Sequence, residues 1–124
     1  MSKSLHILAD LHSCEGNAKY LTSVTAIKKI ILQAVKQAGF SIVAHRFYKF
    51  TPGGNVTDGG ITGMIIVSES HIAIHTWPEK KFVNFDVFFC NYSRNNSEKT
   101  RKVFKDISNI YKPGRMRKRE VWRD

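Results

Sequence analysis

Between Phe40 and Cys90 the sequence runs as short aromatic and β-branched stretches broken by turn residues. Helical periodicity appears only on either side of that span, so the chain can fold around a sheet with no more than a few helices. Residues 6–11 read as a short strand. Residues 22–38 predict a helix, because Val24, Ile27, Ile31, Ala34, Val35 and Ala38 recur at three- and four-residue steps and Gly39 follows as a stop signal. Residues 40–50 read as a strand, 51–60 (TPGGNVTDGG) as a loop, and 61–67 and 82–90 as further strands. Residues 71–77 alternate until Pro78 closes them. Residues 96–111 predict a second helix with Val103, Phe104, Ile107, Ile110 and Tyr111 on one face, and residues 115–122 a last strand. The resulting order, β-α-β-β-β-α-β, predicts an α+β two-layer sandwich in which both helices cover one face of a mainly antiparallel sheet.

The 124 residues form one expected domain, 1–124, with no repeat or linker. With 42% hydrophobic and 24% charged residues, the composition excludes a disordered chain. No apolar run approaches the roughly 18 residues of a membrane span, and no secretory signal is visible, so the expectation is a cytoplasmic protein without membrane contact. Two cysteines, Cys14 and Cys90, are too few for a disulfide scaffold. Lys and Arg number 20 against 10 Asp and Glu, a net charge of +10. Lys112, Arg115, Arg117, Lys118, Arg119 and Arg123 crowd the C-terminus. Such a run could contact nucleic acid, but no nucleic-acid-binding motif accompanies it, and a solvated edge strand is the favoured reading.

Phosphate-cradling loops, dinucleotide fingerprints, G-x-S-x-G and CxxC are all missing. The densest run of reactive groups is residues 67–79, VSESHIAIHTWPE, with Cys90 one strand later. Three readings of these residues stand side by side. His71 and His75 share a strand face by period two and could bind a metal with Cys90, although the spacing matches no zinc motif; no metal is expected. Ser70 or Cys90 could be a nucleophile activated by histidine, without a recognisable oxyanion-hole motif. Or the residues simply fill a sheet, which is the reading they favour by themselves.

Residues 68–79, SESHIAIHTWPE, closely resemble the signature of the prokaryotic S-adenosylmethionine decarboxylase proenzymes, small enzymes with a self-made pyruvoyl group. The resemblance extends to residues 6–14, to Phe47-Tyr48-Lys49-Phe50, to Gly60-Ile61-Thr62-Gly63 and to Asp86–Cys90. It implies cleavage between Glu69 and Ser70, giving a β chain of residues 1–69 and an α chain of residues 70–124. Ser70 Oγ would attack the Glu69 carbonyl to form an ester. His75 would take the Ser70 α-proton, and elimination and hydrolysis would leave a pyruvoyl group and ammonia. Thr62 stands where the family has a serine that assists processing. The resemblance further implies a Schiff base to S-adenosylmethionine and a proton returned to the substrate by Cys90. It places Phe50 against adenine and Glu79 on the ribose hydroxyls, in a homodimer of cleaved protomers with sites near the interface. An ordinary thiol is protonated at neutral pH and suits the acid role, and a carboxylate suits two hydroxyl donors.

Three features depart from the family pattern. An insertion occupies residues 53–59, the first strand begins about two residues early, and Lys80-Lys81-Phe82-Val83-Asn84 replaces a small and aromatic run. Ser70 and His75 are five residues apart, and a regular strand would set them on opposite faces, so a bend is expected near Ser70. Two other functions remain open: pyruvoyl-dependent decarboxylation of ornithine or arginine, and a basic binding module without activity.

Overall fold

A computed structural model describes residues 3–50 and 59–124. In chain order it has β1 (Ser4–Cys14), α1 (Lys19–Thr22), α2 (Val24–Gln37), β2 (Ile42–Lys49), β3 (Ile61–Val67), β4 (Ser70–Trp77), a 3-10 turn (Pro78–Lys80), β5 (Phe82–Phe89), α3 (Ser97–Tyr111) and β6 (Pro113–Arg123). The six strands make one antiparallel sheet in the order β2-β3-β4-β5-β1-β6. The α+β sandwich read from the sequence is therefore correct in architecture. The order needs one correction: four strands, not three, separate the long helices, because residues 70–77 form the full strand β4. Its Ile72, Ile74 and Thr76 are buried while His71, Ala73, His75 and Trp77 are only partly covered. The 53–59 insertion lies, apart from Gly59, outside the described residues.

The core forms between one sheet face and the helices. Leu5, Ile7 and Leu11 of β1, Ile61 and Ile65 of β3, Ile72 of β4 and Val83 and Val87 of β5 have no exposed surface. They meet Ile27, Ile31 and Val35 of α2 and Val103 and Ile107 of α3. In α2, Ser23 accepts the Ala26 N–H at 3.2 Å as the N-cap. Gly39, with φ +91°, lets the chain leave the helix. In α3 the buried stripe runs Thr100, Val103, Phe104, Ile107 and Tyr111, and Lys112 ends it in the left-handed conformation.

Polar contacts fix the ends of the strands. Asn91 accepts the Asn96 N–H and donates to the Lys3 carbonyl, while its own N–H donates to Ser4 Oγ. Asn96 in turn donates to the Cys90 carbonyl. The chain after β5 is thereby anchored to the start of β1. The α1 turn is held by Thr76, whose hydroxyl donates to the Leu21 carbonyl at 2.7 Å and accepts the Ile61 N–H at 3.0 Å.

The opposite face of the sheet carries none of the described helices. The pairing register arranges its side chains in rows: Tyr48, Thr62, His75, Asn84, Asp10 and Arg117; then Arg46, Met64, Ala73, Asp86, Leu8 and Arg119; then Ile66, His71, Phe88, His6 and Val121. Tyr48, Met64, Ile66, Leu8 and Val121 on this face are 38–55% exposed. β6 is an edge strand, as its basic pattern suggests, and it is exposed along almost its whole length. No described helix is long and apolar enough to cross a membrane.

Replacing Thr76 by valine removes both bonds of the hydroxyl and orphans a buried carbonyl and a buried N–H. The expected cost is about 1–3 kcal/mol. It is read as a lower urea midpoint with unchanged slope, at fixed protein concentration. A change below about 0.5 kcal/mol, typical of surface positions, would contradict the anchoring role.

Candidate functional site

The reactive residues gather in two groups, at opposite ends of β4. The first surrounds Ser70. β3 and β4 are joined by a two-residue turn, Ser68-Glu69, with Val67 paired to Ser70. Such turns ordinarily carry positive φ on their central residues. Here neither central residue does, and Ser70 itself takes φ +146°, a region that side chains other than glycine's rarely adopt. The bend expected near Ser70 is thus present, as backbone strain on the residue that follows the Glu69–Ser70 bond. The Glu69 carbonyl accepts the Cys90 N–H at 2.8 Å. Ser70 Oγ lies 2.9 Å from His71 Nδ1. Glu69 Oε1 is buried without a partner among the described residues, while its other oxygen lies 3.7 Å from Arg94.

The second group surrounds His75. Its Nδ1 is hydrogen-bonded to Thr62 Oγ1, directly across the β3–β4 ladder. Its Nε2 is buried and has no partner among the described residues. The Trp77 ring is 4.4 Å from the imidazole and the Phe50 ring 5.8 Å, centre to centre. Burial lowers the His75 pKa below its ordinary value, and the charge of Glu79, on the 3-10 turn after β4, opposes that shift in part. Trp77 donates to Asn84, which pairs with His75 on β5. Phe50, Thr62, His75 and Glu79 thus share one end of β4, and Glu69, Ser70 and Cys90 share the other.

The two groups do not meet within one chain. At about 3.3 Å per residue, the five residues from Ser70 to His75 span roughly 16 Å. An obstacle to His75 acting on Ser70 within one chain is distance along the strand. The same arithmetic sets His71 and His75 about 13 Å apart, so they cannot share a metal. His71 instead joins His6 and Asp86, whose potential ligand atoms lie within 4.8 Å of one another. Between the two ends lies a depression of about 250 Å³, lined by Asp10, Thr62, His75, Asn84 and Asp86 among others. Cys14 is buried under the sheet, its pKa raised to about 11 chiefly by that burial, which leaves its thiol inert. The sequence reading did not single out His6, Asn84 or Asp86. Their alternation with buried neighbours along β1 and β5 was visible, but their register against β4 was not.

A sequence model of the S-adenosylmethionine decarboxylase family matches residues 5–124. The chain belongs to that family. An S-adenosylmethionine decarboxylase proenzyme of Persephonella marina is 38% identical over 112 residues, 90% of this chain and 75% of that protein. Proenzymes of Methanococcus maripaludis and Acetivibrio thermocellus are 40% and 39% identical over 85 residues, 68% of this chain. Those matches span 63% and 62% of the relatives' own length. The crystal structure of the adenosylmethionine decarboxylase of Aquifex aeolicus superposes with a TM-score of 0.81 at 31% identity, covering 98% of this chain and 91% of that one. The family assignment made from the residue 68–79 signature is correct, and the fold of the solved relative agrees with the antiparallel sandwich.

The lowered His75 pKa has a measurable consequence. By NMR titration its imidazole should protonate with a midpoint below the ordinary value of about 6.5. A folded-state pKa below the unfolded one contributes stability that is present above the unfolded value and lost as pH falls through the folded one. A His75→Gln variant should therefore lose less stability on acidification than the parent. A midpoint at or above 6.5 would contradict the burial argument.

Proposed function

We propose that this protein cleaves itself between Glu69 and Ser70, and that with the pyruvoyl group made from Ser70 it decarboxylates S-adenosylmethionine. The observation that carries the reading is the setting of the Glu69–Ser70 bond. Its carbonyl oxygen accepts the Cys90 N–H, and its serine is held in a strained backbone conformation. A donor on the carbonyl oxygen polarises it toward attack and stabilises the charge that develops there. Strain on Ser70 is relieved when the peptide bond to Glu69 is exchanged for an ester. These features fit formation of a pyruvoyl group at residue 70, at the head of the α chain 70–124.

His75 is assigned removal of the Ser70 α-proton. The role assigns the Nδ1 proton to the bond with Thr62 Oγ1 and the lone pair to Nε2, which has no partner among the described residues, and the lowered pKa favours the neutral ring. The roughly 16 Å within one chain favours a His75 supplied by a second copy. An isologous pair of sheets, packed face to face across a two-fold axis through the row of Met64, Ala73 and Leu8, supplies it twice. Ser70 of each copy then meets His75 of the other. The five exposed apolar side chains on the helix-free face favour such a cover.

When formed, the pyruvoyl carbonyl supplies the electron sink for loss of carbon dioxide. Cys90, adjoining the Ser70 end, returns a proton to the substrate carbon. Phe50 and Glu79 of the His75 end receive the adenine and the ribose hydroxyls, with the aromatic ring also suited to the cationic sulfonium. The reading is of a cytoplasmic homodimer acting on a small metabolite, with no role for nucleic acid.

Intact-mass analysis of purified protein, with and without S-adenosylmethionine and a reductant, tests the reading. The expected result is two chains, residues 1–69 and 70–124, with the substrate amine trapped on the second. Phe50→Ala and Glu79→Gln should lower S-adenosylmethionine turnover about tenfold or more, ~1.4 kcal/mol or above, with cleavage intact. A single uncleaved chain would hand the case to a binding module. Carbon dioxide released from ornithine or arginine, and none from S-adenosylmethionine, would overturn the substrate.

A further inference from the structure

The first group contains more than the cleavage bond requires. Ser70 Oγ is 2.9 Å from His71 Nδ1. His71 Nε2 is 3.4 Å from Asp86 Oδ2, which is also 2.8 Å from His6 Nε2. His6 Nδ1 is 3.3 Å from Arg123 Nη1, and the Arg123 guanidinium lies over the Phe88 ring at 4.7 Å. The five groups come from β4, β5, β1 and β6, so the chain of contacts crosses the sheet.

The direction of every bond in this chain follows from two fixed ends. A guanidinium only donates, and a carboxylate only accepts. Arg123 therefore donates to His6 Nδ1, which leaves the His6 proton on Nε2, donated to Asp86. The Asp86 carboxylate, 3.4 Å from His71 Nε2, favours the His71 proton on that nitrogen. The remaining nitrogen of His71, Nδ1, then has only its lone pair, and it faces the Ser70 hydroxyl. A neutral imidazole oriented by a carboxylate with its lone pair on a serine hydroxyl is the arrangement that activates an oxygen nucleophile.

We propose that His71 is the general base of the self-cleavage step, and that Asp86 and His6 are positioning residues that fix its tautomer. The proposal rests on the self-cleavage reading above and divides its chemistry between two histidines. His71 Nδ1 takes the Ser70 Oγ proton as Oγ bonds to the Glu69 carbonyl carbon, whose oxygen is held by the Cys90 N–H. The tetrahedral centre then collapses, the Glu69 C–Ser70 N bond breaks, and the proton on His71 passes to the departing nitrogen. The product is the ester with a free amine, and no external reactant is consumed. His75 of the second copy acts only afterwards, on the α-carbon. The strand spacing that removes His75 from Ser70 within the chain leaves His71 as the described histidine in contact with the Ser70 hydroxyl.

The test separates the two steps by what accumulates. Freshly made His71→Asn protein should process about 10²–10⁴-fold more slowly than the parent. It should accumulate uncleaved amide that resists hydroxylamine, whereas His75→Ala should accumulate ester that hydroxylamine cuts. Asp86→Asn, nearly isosteric, should slow the same first step, because an amide can donate to His71 Nε2 and turn the tautomer round. In a Ser70→Cys background the His71→Asn defect in forming the hydroxylamine-sensitive species should shrink at least tenfold, since a thiol ionises without help. A misfolded variant would not be rescued by that exchange. Parent-like processing by His71→Asn, or accumulation of ester in it, overturns the base assignment while leaving self-cleavage standing. No rescue by Ser70→Cys also overturns it. A parent chain that never cleaves overturns self-cleavage itself, and the base assignment with it.

Discussion

A β-strand advances about 3.3 Å per residue, and that rise decides what the interval between Ser70 and His75 can mean. Both residues lie on β4, which is paired on both sides over residues 70–75. Neither can be moved toward the other without breaking the ladder. One group of reactive residues is therefore built at the start of β4 and another at its end. Each is completed by residues of the neighbouring strands and of the turns at their ends: Glu69, Cys90, Asp86 and His6 at the first, and Thr62, Phe50, Asn84 and Glu79 at the second. The sheet keeps the groups apart within a chain and, by the same rigidity, presents them in a fixed relation to whatever covers the face.

The two faces of the sheet divide the work. Strand alternation sends Ile7, Ile65, Ile72 and Val87 to the helices, where burial supplies the stability. It sends His6, His71, His75 and Asp86 to the other side. Thr76 and the Asn91–Asn96 pair tie the loops to the strands, and the second of these holds Cys90 in register with Glu69. The strain at Ser70 persists because the ladder on both sides of it over-determines its backbone. Stability on one face thus underwrites a strained bond at the end of the sheet.

Much of this architecture is legible in the sequence. β3 coincides with residues 61–67 as read, and α2 and α3 differ from the periodic segments by at most two residues at either end. β4 is harder to count as a strand because its partly covered face carries His71 and His75 and its length is cut by the turn at Ser68-Glu69. The four residues of α1 are too few to show a period. β1 runs to Cys14 through the polar His12, held by pairing with Arg115, and Ser13, which takes φ +54° between the two paired positions. The residues of the candidate site were found through the family signature, but their division into two groups was not. A signature gives the order of residues along a strand, and only the strand's geometry turns five positions into a distance. The His6–Asp86 contact joins positions 80 apart in sequence and depends on the β1–β5 register, which no local pattern encodes.

The central claim is that each site is completed by two copies of the chain, and subunit complementation tests it most directly. Ser70→Ala lacks the nucleophile and His75→Ala lacks the α-proton base, so neither alone should yield a pyruvoyl group. Co-expressed and separable by mass, they form mixed pairs in which the intact Ser70 of one chain meets the intact His75 of the other. The account predicts that the His75→Ala chain is cut and acquires pyruvoyl at residue 70 only in the mixture, while the Ser70→Ala chain stays whole. Pyruvoyl formation by His75→Ala alone, or its absence from the mixture when mixed dimers are present, would contradict the account.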